Sequence, residues 1–148
     1  MKTLLFASFL LALFAGCLAQ NRSDVPFQVI AKGQYSGEND QGLKVFRTER
    51  AMEEFSKDRA QDLPKRLIKD VDWEKEQVLV IFGGQQSSGG YSVTVKRIAS
   101  VDIQRLQVEA ILHRPSPDSI NTQALTTPYI VIKMARQVAV VKVKFVSE

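Results

Sequence analysis

Val78-Leu79-Val80-Ile81-Phe82 is apolar at five successive positions. With no polar residue marking a solvent side, the run reads as a β-strand buried on both faces. Gln77 bounds it on one side and Gly83-Gly84 on the other. A strand buried on both faces needs a layer above and a layer below, so the rest of the chain must supply both.

Downstream of that strand the pattern changes to alternation. Tyr91, Val93 and Val95 alternate with Ser92, Thr94 and Lys96, and Leu106, Val108, Ala110 and Leu112 alternate with Gln107, Glu109, Ile111 and His113. Both stretches read as half-buried strands. Tyr129 to Met134 and Val138 to Val146 give two more. In the last of these, Ala139, Val141, Val143 and Phe145 share one face, opposite Lys142 and Lys144.

Upstream, Phe27 to Lys32 and Leu43 to Arg47 read as strands separated by the turn-rich stretch Gly33 to Gly42. Thr48 is placed to cap a helix over Glu49 to Leu63, with Glu49 in the first turn, where the helix dipole favours a negative charge. Ala51, Met52, Phe55 and Arg59 lie near one face of it. Pro64 follows as a terminator. The expected class is α+β: a mainly antiparallel sheet of about seven strands in meander-like succession, with one helix packed on it.

The chain has 148 residues, 45% hydrophobic and 24% charged, enough for one core and too short for two independent ones. The net charge is +4. No block of lysine and arginine interleaves with aromatics, so no nucleic-acid partner is expected. Met1-Lys2 precedes the apolar run Leu4 to Phe14 and the small residues Ala15-Gly16-Cys17-Leu18-Ala19. This arrangement reads as a secretory signal peptide over residues 1–19, followed by a short tether over 20–26 and one β-rich domain over 27–148. The run falls short of the roughly 20 residues that span a bilayer. The protein is therefore expected to be exported, in the periplasm, cell envelope or extracellular space. Cleavage after Ala19 competes with a lipobox reading of Phe14-Ala15-Gly16-Cys17, in which Cys17 is the lipidation site and the membrane is met through that lipid. Cys17 is the only cysteine, so no disulfide is expected.

Three stretches carry a family resemblance: Val78-Leu-Val-Ile-Phe-Gly83, Ser88-Gly-Gly-Tyr91 leading into Ser92-Val-Thr-Val95, and Thr122-Gln-Ala-Leu-Thr-Thr-Pro-Tyr-Ile-Val-Ile132. In order and spacing they resemble the C-terminal domain of the PrcB family, named after a subunit of a bacterial surface protease complex. Val71-Asp72-Trp73 adds support. The resemblance implies a small exported domain, often lipid-anchored, that serves as an accessory subunit and is not itself the protease. Ser88 stands where the family pattern has threonine, which keeps the hydroxyl.

Gly83-Gly-Gln-Gln-Ser-Ser-Gly-Gly90 is the most unusual segment. No Gly-Lys-Ser/Thr follows it, and the next element is a strand, which excludes a phosphate loop. No serine in it sits in G-x-S-x-G. Two readings remain: a hairpin loop whose glycines allow tight geometry, or a protein-binding loop held by two strong strands. In the second, Gln85, Gln86, Ser87, Ser88, Gly89, Gly90 and Tyr91 form the contact, with the proline loop Arg114 to Thr127 as a neighbour. The expected partner is a protein, an exported protease being the one the resemblance implies.

His113, the single histidine, lies on the polar side of its strand and reads as a solvated strand-end residue. Asp70, Asp72, Glu74 and Glu76 share one face if the chain there is extended, which would suit a cation or an acid/base pair. Their alternation with Lys69 and Lys75 favours a solvated connection instead. Trp73 is expected to staple that connection to the core. No cofactor or metal motif stands out, and a non-catalytic role is expected. The competing readings are a small β-rich protease inhibitor, since Ser88-Gly89-Gly90-Tyr91 with Arg114-Pro115 is similar to the loop layout of chagasin-type inhibitors, and a hydrolase using the Asp70–Glu76 acids.

Overall fold

The computed structural model describes residues 23–59 and 67–147. The leader over residues 1–19 with Cys17, the start of the tether, and the helical residues expected beyond Arg59 lie outside the described residues.

The elements in chain order are β1 (Phe27–Gly33), β2 (Gln41–Phe46), α1 (Glu49–Arg59), a 3-10 turn (Leu67–Asp70), β3 (Glu76–Gly83), β4 (Ser92–Asp102), β5 (Arg105–His113), β6 (Tyr129–Ala135) and β7 (Val140–Phe145). Seven strands and one α-helix among the described residues give the expected α+β class. They are divided between two sheets. The larger has the order β1-β6-β3-β2, antiparallel throughout, and the smaller has the order β4-β5-β7. In the smaller sheet β4 and β5 form an antiparallel hairpin, whereas β7 joins β5 in parallel.

The expected meander is therefore corrected. After β3 the chain crosses to the smaller sheet for β4 and β5, returns for β6, and crosses again for β7. The apolar periodicity told which face of each strand is buried; it carried no information about which sheet each strand joins.

The two sheets pack face to face over a core made by Leu79, Ile81, Val93, Ile98, Leu106, Val108, Ala110, Ile130, Ile132 and Met134. The opposite face of the larger sheet packs Val78, Val80, Phe82, Tyr129 and Val131 against Met52 of α1 and against Ile68 and Val71. β3 and β6 thus contribute alternate residues to two cores, which explains the unbroken apolar run. Each such side chain, almost fully removed from water, stabilises the fold by about 1.5–3 kcal/mol.

α1 is capped as expected: the Thr48 hydroxyl accepts from the Ala51 amide at 3.3 Å. Its buried face is Met52 and Ser56 with half-buried Phe55, while Ala51 is exposed. The Phe55 ring lies 5.1 Å from Phe46 and 6.0 Å from Phe82, with the Lys44 ammonium 4.6 Å above it. Trp73 packs against this second core and donates its indole N–H to the Ile68 carbonyl at 3.2 Å.

Ser23 to Val25, expected as tether, bond to the edge of β4. The Val25 amide donates to Ile98 and the Ser100 amide to Ser23, at 2.7 and 3.1 Å. A bulge between Val95 and Arg97 sets Lys96 outward and brings Arg97 opposite Glu109. The guanidinium meets that carboxylate through two hydrogen bonds of 2.9 and 2.8 Å.

Candidate protein-binding site

β3 ends and β4 begins at the same end of the sandwich, so the segment joining them must reverse direction between two sheets. Glycine makes this possible. At Gly83 an added Cβ would lie 2.8 Å from the Val93 side chain, and Gly84 and Gly90 adopt φ of 73° and 84°. The reversal is also stitched to its neighbours. Gln86 and Thr126 exchange backbone hydrogen bonds at 2.8 and 3.0 Å. The Thr126 hydroxyl donates to the Ser88 carbonyl at 2.7 Å, and the Gly89 amide donates to Thr122 at 2.9 Å. Thr126 itself is buried.

The glycine loop and the proline loop are thus one surface, the neighbourhood the sequence reading expected. A third loop joins them. Thr127 donates its amide to Gln34 and accepts from Ser36, at 2.7 and 3.0 Å, while Gln85 donates to Asn39 at 2.9 Å. The Gln34 amide nitrogen donates to the Tyr91 carbonyl at 2.8 Å, which ties the start of β4 to the same base.

Within the loop the seven candidate residues divide. Gln85 and Ser87 are exposed; Gln86, Ser88 and Tyr91 are half-buried; Gly89 is buried and Gly90 exposed. The Gln86 side chain folds back to donate to the Gly83 carbonyl at 3.0 Å, and the Ser88 hydroxyl donates to the Gly89 carbonyl at 3.2 Å. These two therefore hold the loop's shape, leaving Gln85 and Ser87 as its outward polar side chains. Sequence reasoning missed three others at this end. Tyr35, Ile120 and Leu125 expose 47%, 104% and 62% of their surface. Isolated apolar residues in polar loops, as in Ile120-Asn121-Thr122, were the available signal.

Two of the four acids named by the hydrolase reading, Asp72 and Glu76, are engaged in local hydrogen bonds. Asp70, Asp72, Glu74 and Glu76 do not lie along one extended face, because the 3-10 turn and the tight turn after Asp72 break it. The Asp72 carboxylate accepts from the Glu74 amide at 3.2 Å, and the Glu76 carboxylate accepts from the Asp72 amide at 2.9 Å. Glu76 also pairs with Lys133 at 3.2 Å. These carboxylates accept from backbone amides and so cap the turn. His113 lies in β5 opposite Ser92, with its ring 2.7 Å from the Thr94 hydroxyl. Among the described residues no group of three or more histidine, cysteine, aspartate or glutamate side chains is disposed to hold a metal ion.

The molecule is a two-sheet α+β domain with a loop-built, hydrogen-bonded end. Residues 77–135 match the family model described as PrcB C-terminal, the family that the sequence motifs resemble. The match runs from β3 to β6 and so contains both the glycine loop and the proline loop. No curated protein and no solved structure gives a match.

Proposed function

We propose that this chain is an exported, non-catalytic protein-binding module that docks on an envelope protease complex through the end built by the glycine and proline loops. One observation carries the reading: the segment matched by the PrcB C-terminal family is the one whose loops are locked together there, by Gln86–Thr126 and Gly89–Thr122. A loop fixed before binding loses little entropy on docking. Tyr35, Ile120 and Leu125 surround it with exposed apolar area of the kind that anchors protein contacts.

The two competitors fit less well. The inhibitor reading expects a sandwich with no helical layer, whereas α1 covers Val78, Val80 and Phe82. The hydrolase reading needs a pair of carboxylates brought together, whereas two of its four acids, Asp72 and Glu76, are engaged within their own turn.

The test is crosslinking capture from the native envelope with tagged full-length protein, beside a variant carrying Ile120→Asp and Leu125→Asp. Recovery of an exported protease that the variant loses, at an unchanged melting temperature, supports the reading. Equal recovery by both proteins overturns this site, and inhibition of papain-like proteases at micromolar protein would favour the inhibitor instead.

A further inference from the structure

The opposite end of the sandwich has its own exposed apolar set. Ile103 in the β4–β5 turn exposes 96% of its surface, Val138 102% and Val140 59%. They belong to one locality, since Val140 pairs with Arg105 in register and donates its amide to the Gln104 carbonyl at 2.8 Å. Three large apolar side chains left in water at one end are not explained by the core.

On the outer face of the smaller sheet, beside them, the free charge has one sign. Lys142 and Lys144 alternate with Val141 and Val143 along β7 and point away from the core, and Arg105 and Lys96 are exposed on the same sheet. Lys144 stands opposite Glu109 across the β5–β7 ladder, and Arg97 faces Glu109 from the other side. The carboxylates on this face are engaged: Glu109 by Arg97, and Asp102 by Arg105 at 2.6 Å. Lys96, Lys142 and Lys144 make no ion pair among the described residues. Asp70, Asp72 and Glu74 lie at this same end but on the helical side of the larger sheet, where the Arg136 amide donates to the Lys75 carbonyl at 2.7 Å, so the free basic charge is confined to the outer face of the smaller sheet.

Chain geometry adds a third observation. The described chain enters beside β4, with Ser23 bonded to Ser100, close to the β4–β5 turn. A few residues upstream of Ser23 in sequence lies Cys17, the lipidation site of the lipobox reading. A lipid on Cys17 would hold this end nearest the membrane, and this part of the argument rests on that reading.

The geometry points to a membrane-contact surface at the β4–β5 end: Ile103, Val138 and Val140 enter the interfacial layer of an anionic phospholipid surface, while Lys142 and Lys144, which make no ion pair among the described residues, meet the headgroups. Apolar tips flanked by basic side chains are how a folded domain rests on such a surface. This contact belongs to the protein itself and is additional to any lipid at Cys17.

The experiment uses the full chain as its host processes it, on vesicles of phosphatidylglycerol and, separately, phosphatidylcholine. Ile103→Trp and, at the far end, Ile120→Trp each add a reporter, with the parent chain as the blank for Trp73. The expected result is a blue shift and quenching by brominated phosphatidylglycerol for Ile103→Trp, and neither for Ile120→Trp. Lys142→Gln and Lys144→Gln should each weaken the effect roughly five-fold, a basic residue near the surface being worth about 1 kcal/mol. Quenching in neither variant, quenching of Ile120→Trp instead, or equal quenching on neutral vesicles overturns the proposal. So does a concentration-dependent dimer in solution that Val138→Ser and Val140→Ser abolish, which would assign the patch to a second copy of this chain.

Discussion

Thr126 accepts and donates backbone hydrogen bonds with Gln86 while its hydroxyl holds the Ser88 carbonyl. One buried threonine therefore fixes two positions of a loop that lies 38 residues away in sequence. Thr126→Val keeps the volume, the β-branch and the backbone bridge but leaves the Ser88 carbonyl without this donor. The expected loss is about 1 kcal/mol in denaturant unfolding, with faster amide exchange at Gly89.

Gly90→Ala should destabilise the domain by about 1–3 kcal/mol, the usual range for a residue held in a strained backbone region. At φ of 84° a side chain is disfavoured, and the added Cβ would meet the Asn121 side chain and, at 2.8 Å, the Pro115 ring. Gly42→Ala is the matched control, because a methyl group added there would meet nothing within 4 Å. Equal melting temperatures for the two variants would remove the steric argument.

Stability should fall in acid through Glu109. The Arg97 guanidinium holds this carboxyl below the usual carboxylate range, first by hydrogen bonding and also by charge, with Lys96 and Lys144 adding to it against the opposing effect of burial. A lowered folded-state value gives stability that is present above the unfolded value and lost as pH falls through the folded one. Glu109→Gln should therefore melt below the parent at neutral pH, and the two curves should converge on the acid side of the carboxylate range. Curves that stay parallel across that range would contradict it.

Arg47 donates to the side-chain oxygen of fully buried Gln77 at 3.2 Å and reaches the carbonyls of Gln137 and Ala139 at 3.3 and 3.4 Å. It ties the end of β2 to the β6–β7 connection. Arg47→Met should cost about 1–3 kcal/mol, because the Gln77 oxygen is left with only the Gln137 amide at 3.4 Å and the Gln137 and Ala139 carbonyls lose this donor. Adding Gln77→Met should recover part of that loss, since the Gln77 amide nitrogen has no partner among the described residues. A double-mutant cycle measures the recovery.

Phe55→Ala removes the ring between Phe46 and Phe82. Phe55 is half-buried, so a loss of about 2 kcal/mol is expected, below the 3–5 kcal/mol of a fully buried phenylalanine. Hydrogen exchange should then rise in α1 while the sheet-to-sheet core stays protected. Uniform loss of protection would mean that the two cores unfold as one unit.

The sequence was informative wherever a strand's own alternation decided the outcome. Val78 to Phe82 reads as doubly buried and is, and the face of β7 follows from Ala139, Val141, Val143 and Phe145. Pairing was not legible, because neither the apolar run of β3 nor the alternation of β4 says that they belong to different sheets. The glycine loop stood out by composition. The surface it belongs to did not, since Thr122, Asn121 and Thr126 reach it only through tertiary contact. The acids of the Asp70–Glu76 stretch were misaligned for a local reason: alternation assumed extension, and Asp72 instead caps a turn.

The parallel pairing of β7 with β5 also bears on the order of assembly. β7 follows the other six described strands, yet Val141, Val143 and Phe145 pack against the core shared by both sheets. A chain that emerges N-terminus first presents the bare edge of β5 and an unsealed interior until β7 arrives. Such long-range closure is slow and leaves a sticky intermediate. Truncation within β7 should consequently yield an aggregation-prone chain, even though the loops of the opposite sheet are already complete.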